Sequence, residues 1–104
     1  MHPLIDQRRE DIARLCHRYG VRRLAVFGSA ARGADFDPDR SDADFLVTFT
    51  AEAQYDLAGF ADFKDALEAL LGRSVDLIER EAVESSRNYI SRRRILAEAE
   101  PIYG

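Results

Sequence analysis

The chain has a single cysteine, Cys16, so no disulfide can close within it, which suits a reducing compartment. No apolar run approaches the ~20 residues that a membrane span requires, and the start, Met1-His2-Pro3-Leu4-Ile5-Asp6, lacks the pattern of a secretion signal. These absences predict a soluble, cytoplasmic protein. A basic surplus is missing too: 15 Lys and Arg face 19 Asp and Glu, for a formal charge of −4. General affinity for nucleic acid comes from a positive surface that displaces counterions, so direct nucleic-acid binding and template-directed polymerisation are excluded. Internal repeats, linkers and low-complexity segments are absent as well. One domain over residues 1–104 is expected, large enough to bury roughly 60–70% of its unfolded surface. Such a chain has no room for two substrate-binding domains.

What the chain does have is organised around Gly28-Ser29-Ala30-Ala31-Arg32-Gly33 and Ser41-Asp42-Ala43-Asp44. Leu24-Ala25-Val26-Phe27 reads as a short buried strand ended by glycine, and Ser29-Ala30-Ala31-Arg32 as the start of a helix. A strand entering a helix through Gly-Ser aims backbone N–H groups at one spot, where the helix dipole also favours an anion. The Ser29 hydroxyl adds a donor. Asp42 and Asp44 stand two apart at the start of a second strand, Asp44 to Phe49, so both carboxylates share one face. Mg²⁺ suits that pair, because it accepts carboxylate oxygens together with substrate phosphate oxygens. A phosphate cradle beside paired carboxylates is what transfer at a nucleotide phosphate requires. A P-loop is excluded, since Ala34-Asp35 follow Gly33 where lysine and Ser/Thr would be needed.

The remaining segments complete an α/β or α+β sandwich, with helices covering a small sheet. A helix is predicted from about Leu4 to Tyr19, with Ile12, Leu15, Cys16 and Tyr19 on its apolar face and Gly20 as its stop. Residues 34–40 are rich in turn formers and predict a flap over the site. Leu57, Phe60, Phe63, Leu67, Leu70 and Leu71 predict a core-facing helix stopped by Gly72. Ser74 to Ile78 predicts a third strand whose one acid, Asp76, is either a solvated strand-end residue or a third carboxylate of the site. A last helix is expected from about Ser86 to Ala99, with Ile90, Ile95, Leu96 and Ala99 apolar. Ile102-Tyr103 follow Pro101 as a short strand. At about 100° per residue, Arg92, Arg93 and Arg94 cannot all face one ligand, which favours a solvated or partner-binding surface, the alternative being that one of them reaches a triphosphate.

Gly28-Ser29-x-x-Arg32-Gly33 followed by Ser41-Asp42-x-Asp44 resembles the signature of polymerase-beta-like nucleotidyltransferases. In size the chain is similar to the minimal nucleotidyltransferases (MNT) that act as antitoxins beside HEPN-domain toxins. The resemblance implies a nucleotidyltransferase palm, whose small central sheet mixes parallel and antiparallel pairs and is flanked by helices. It implies nucleotide binding by Gly28, Ser29, Arg32, Gly33 and Ser41, with Arg32 either on phosphate or in an ion pair that locks the turn. It further implies two Mg²⁺ ions held by Asp42, Asp44 and Asp76, with Asp76 as the base for the acceptor proton. The activity that follows is transfer of AMP from ATP to a tyrosine hydroxyl of a HEPN ribonuclease toxin, within a hetero-oligomer. Two alternatives remain: an antitoxin that only binds its toxin, and a transferase for small molecules of the aminoglycoside type. The second usually carries a further domain for its acceptor, absent from this sequence.

Overall fold

The computed structural model describes residues 1–33, 37 and 42–104. Ser41 and, apart from Asp37, the predicted flap over 34–40 lie outside the described residues. The frame is a mixed sheet built from β1 (Val21–Phe27), β2 (Ala43–Phe49), β3 (Val75–Glu79) and β4 (Glu100–Tyr103), in the order β3-β2-β1-β4. β2 runs antiparallel to β1 and parallel to β3, and β4 lies antiparallel on the outer edge of β1. Pro101 fits there because an edge strand has a side on which no donor is needed.

Strand alternation sends Leu24, Val26, Phe45, Val47, Phe49, Val75 and Leu77 to one face. There they meet Ile5 of α1 (Pro3–Asp6), Ile12 and Cys16 of α2 (Arg9–Arg18), and Phe63, Leu67 and Leu71 of α4 (Leu57–Leu71). This is the main core, and Phe63 sits in it edge-on to Phe49. Cys16 is fully buried and its thiol is pushed up to about 12 by that burial, which makes it an inert part of the core. The opposite face carries Ala25, Phe27 and Leu46, covered by Val83 of α5 (Arg80–Glu84) and by the partly buried Ile95 and Leu96 of α6 (Tyr89–Glu98).

Several expectations are corrected. The first helix is two helices: Arg8, with φ −104° and ψ 11°, breaks it, and nothing in the side chains near the break explains it. The short α5 had no predicted counterpart, since five residues with a single buried one give little periodicity. The last helix begins later than expected because the Asn88 side chain accepts a bond from the Ser91 N–H at 3.1 Å and caps it. Leu57 and Ile90 were expected in apolar stripes but are 84% and 79% exposed. At 100° per residue, Leu57 stands about 90° from the centre of the buried face of α4, and Ile90 points away from the side of α6 that meets the sheet. No helix among the described residues is long and apolar enough to cross a membrane.

Candidate active site

The sheet register gathers the motif residues. Phe27, the last residue of β1, pairs with Asp44, and Asp44 pairs in turn with Asp76 on β3. The C-terminal end of β1 therefore lies level with the N-terminal ends of β2 and β3. Asp44 alternates with Leu46, and Asp76 stands between the core residues Val75 and Leu77, so both carboxylates occupy the face that α6 partly covers. Asp42 stands one residue before β2, close enough for its charge to act on Asp44.

Beyond Phe27 the chain turns at Gly28 (φ 67°, ψ −148°) into α3 (Ser29–Arg32), which Gly33 ends. Gly28 is required twice over. Its φ is one that L side chains rarely adopt, and a Cβ there would stand 2.6 Å from the Asp44 Oδ2. The carboxylate thus rests directly against the glycine backbone. Gly28 O accepts bonds from the Ala31 and Arg32 N–H groups, and among the described residues those of Ser29 and Ala30 are the ordinary open donors of a helix start. Four residues align few peptide dipoles, so the dipole expected from sequence contributes little; the donors are the N–H groups and the Ser29 hydroxyl. The turn is braced from behind, where the His2 N–H donates to Ala30 O at 2.8 Å.

Electrostatics tie the three aspartates together. Burial pushes the Asp44 carboxyl up from 3.8 to about 6, and the negative charges of Asp76 and Asp42 push it the same way, while Arg32 opposes them. Among the described residues no three His, Cys, Asp or Glu side chains are drawn into a cage for an ion. The carboxylates are close enough to repel one another yet are not closed around a point. Their donor set is nonetheless all hard oxygen, on two adjacent strands of one face, which fits Mg²⁺ rather than zinc or copper.

A hollow of about 370 Å³ opens beside this cluster, lined by Gly28, Ser29, Arg32 and Asp44 and, from α6, by Ser91, Arg94, Ile95 and Glu98. Arg32 reaches Glu98 across it, Nη1 to Oε1 at 2.9 Å. The ion pair left open by the sequence is therefore present, and it fastens the turn to α6. Of the α6 lining, the sequence points to Ile95 and Arg94 but not to Ser91 and Glu98, and the i, i+3, i+4, i+7 spacing of Ser91, Arg94, Ile95 and Glu98 marks the lining face of α6. A larger groove of about 410 Å³ at the far end of β2, between Phe49, Tyr55, Leu57 and Glu79, contains none of the motif residues. Size does not single out the site here; the chemistry does.

The nucleotidyltransferase domain family matches residues 9–98. Protein adenylyltransferase MntA of Thermococcus cleftensis is 42% identical over 71 residues, which cover 68% of this chain and 68% of that protein. A solved structure ascribed to a minimal nucleotidyltransferase superimposes with a TM-score of 0.72 at 38% identity, over 93% of this chain and 91% of the other. The fold is also that of a chain in the complex of tri-AMPylated Shewanella oneidensis HEPN toxin with MNT antitoxin. There the TM-score is 0.63 at 16% identity, over 95% of this chain and 71% of that one.

Proposed function

The chain belongs to the nucleotidyltransferase domain family, and from that we propose that it is an antitoxin which transfers AMP from ATP to a tyrosine hydroxyl of a HEPN ribonuclease toxin. The observation that carries the reading is the register of Phe27, Asp44 and Asp76, which brings a glycine turn and three acids from distant parts of the chain to one end of one sheet face. MntA being a protein adenylyltransferase, and a protein of this fold standing beside an AMPylated toxin, support the acceptor class.

In this reading Gly28 and Ser29 bind the phosphates of ATP through their backbone and the Ser29 hydroxyl, and Arg32 and Gly33 keep the turn in shape. Ser41 belongs to the same nucleotide-binding set by its place in the motif. Asp42 and Asp44 hold the metal ions, joined by Asp76 for the second. Two Mg²⁺ ions supply charge neutralisation at the entering and leaving oxygens and lower the cost of ionising the acceptor. Asp76, the most outlying of the three carboxylates along the sheet, takes the proton from the tyrosine hydroxyl. The tyrosine oxygen forms a bond to the α-phosphorus, the bond to the bridging oxygen breaks, and pyrophosphate leaves. The hollow is open to solvent, and in this reading the acceptor surface belongs to the partner.

The test is mass spectrometry of a cognate toxin after incubation with the protein, ATP and Mg²⁺. Wild-type protein adds adenylyl mass to the toxin. Asp42→Asn and Asp44→Asn reduce the rate by more than about a hundredfold, the most that losing a mere outer partner of a metal ligand costs. Toxin neutralised by the wild type without any gain in mass would instead establish an antitoxin that works by binding alone.

A further inference from the structure

The helix face that looks into the site carries an arrangement that stability does not explain. α6 has no fully buried residue. Its flank toward the hollow is Ser91, Arg94, Ile95 and Glu98, of which only Ile95 is apolar. A stripe turned toward the body of a protein is ordinarily apolar, and a polar stripe across an open hollow lines a space that something polar fills. Two guanidinium groups from different elements meet there on one carboxylate oxygen: Arg32 Nη1 lies 2.9 Å and Arg94 Nε 3.5 Å from Glu98 Oε1. The Arg94 side chain is 70% exposed. Ion pairs that exposed contribute about 0–1 kcal/mol, so packing and pairing alone give little reason to hold two cations side by side. Both guanidiniums and the Glu98 carboxylate line the same hollow as Ser29 and Asp44.

We propose that Arg94 is a nucleotide-binding residue, whose guanidinium, held beside Arg32 by Glu98, takes the outer phosphates of the bound nucleoside triphosphate. The inference rests on the nucleotide-transfer reading above and extends it to α6, which the glycine and aspartate motifs do not include. The arrangement fits the reaction. The α-phosphate undergoing transfer lies at the carboxylates, the two phosphates that leave extend from it within the hollow, and an arginine fork there binds phosphate well.

Isothermal titration of the full chain with MgATP, AMP and tripolyphosphate tests this. Arg94→Ala is expected to weaken MgATP by about tenfold, the worth of one charge-assisted bond. It should weaken tripolyphosphate as well and leave AMP, which has no outer phosphates, unchanged. Arg94→Lys recovers part of the loss, since it keeps the charge without the fork. The exposed position lets both variants fold, with unfolding temperatures matching the wild type. Arg94→Ala binding MgATP as tightly as the wild type, or losing MgATP and AMP alike, overturns the assignment. Wild-type protein that binds neither MgATP nor tripolyphosphate overturns the transfer reading and this inference with it.

Discussion

At the scale of single residues, Gly28 and Asp44 form one unit. The glycine has no side chain at the point where the carboxylate rests, 2.6 Å from where a Cβ would stand, and its positive φ is costly for any other residue. Gly28→Ala should therefore destabilise the protein by about 1–3 kcal/mol, read from urea unfolding, and displace Asp44 enough to abolish transfer. Asp44 itself is strained electrostatically in the absence of metal. Its carboxyl is raised from 3.8 to about 6 in the folded chain, so folding carries a penalty at pH values above 6 that fades as pH falls and is gone below 3.8. Asp44→Asn removes the penalty. In chelator, that variant should be more stable than the wild type by on the order of 1–2 kcal/mol above pH 6, after allowance for solvent screening of a part-exposed group. The difference should vanish below pH 3.8. A variant that is less stable than the wild type at both pH values would refute the penalty that burial, with the neighbouring charges, places on Asp44. These residues were legible because glycine and paired aspartates announce themselves by type and spacing. Glu98 was not, and Arg94 could not be told from Arg92 and Arg93, since arginines and glutamates on a charged helix look alike until a neighbouring element selects a face.

At the scale of elements, most strands and the long helix could be read directly. β2 and β3 are short apolar runs bounded by turns, whereas β1 begins at Val21, three residues before the expected Leu24, because the exposed Arg22 and Arg23 interrupt its apolar pattern. α4 has a full apolar period closed by Gly72, whose φ of 67° ends it in the left-handed region. Exposed ends were harder to read. Leu57 continues the apolar composition of α4 but not its buried face, so Leu57→Ser should change stability by no more than about 0.5 kcal/mol. Asp56 just before it matters more: its carboxylate accepts from the Gly59 N–H at 2.9 Å, and Asp56→Ala should cost about 1 kcal/mol. Urea unfolding of the two variants side by side checks both, and the reverse order would contradict the placement of the helix start. α6 shows a different limit. It turns three sides to three surroundings, Ile95 and Leu96 to the sheet, Ser91, Arg94 and Glu98 to the hollow, and Ile90 to solvent. A helix with three environments has no single hydrophobic face for periodicity to find.

At the scale of the whole molecule, the two faces of the sheet divide the work. One face holds the main core, closed by α1, α2 and α4, with Phe63 at its centre. The other is thinly covered by α5 and α6, and at its open end stand the acids, the glycine turn and the polar flank of α6. The central position of β2 makes this possible: it is the one strand that pairs with both β1 and β3, so it alone can bring residues near 28 and near 76 together. That convergence was legible only in part, because Asp76 reads as an ordinary strand-end acid until the parallel pairing places it beside Asp44. The −4 charge agrees with the proposed function, which requires no general affinity for a nucleic-acid backbone. The most direct test is anomalous scattering from a crystal soaked with manganese and a non-hydrolysable ATP analogue. The account predicts a manganese peak between Asp42 and Asp44, with the analogue's phosphates on the Gly28–Ser29 turn and reaching toward Arg94. A nucleotide bound in the groove by Tyr55 and Leu57, or manganese bound away from all three aspartates, would contradict it.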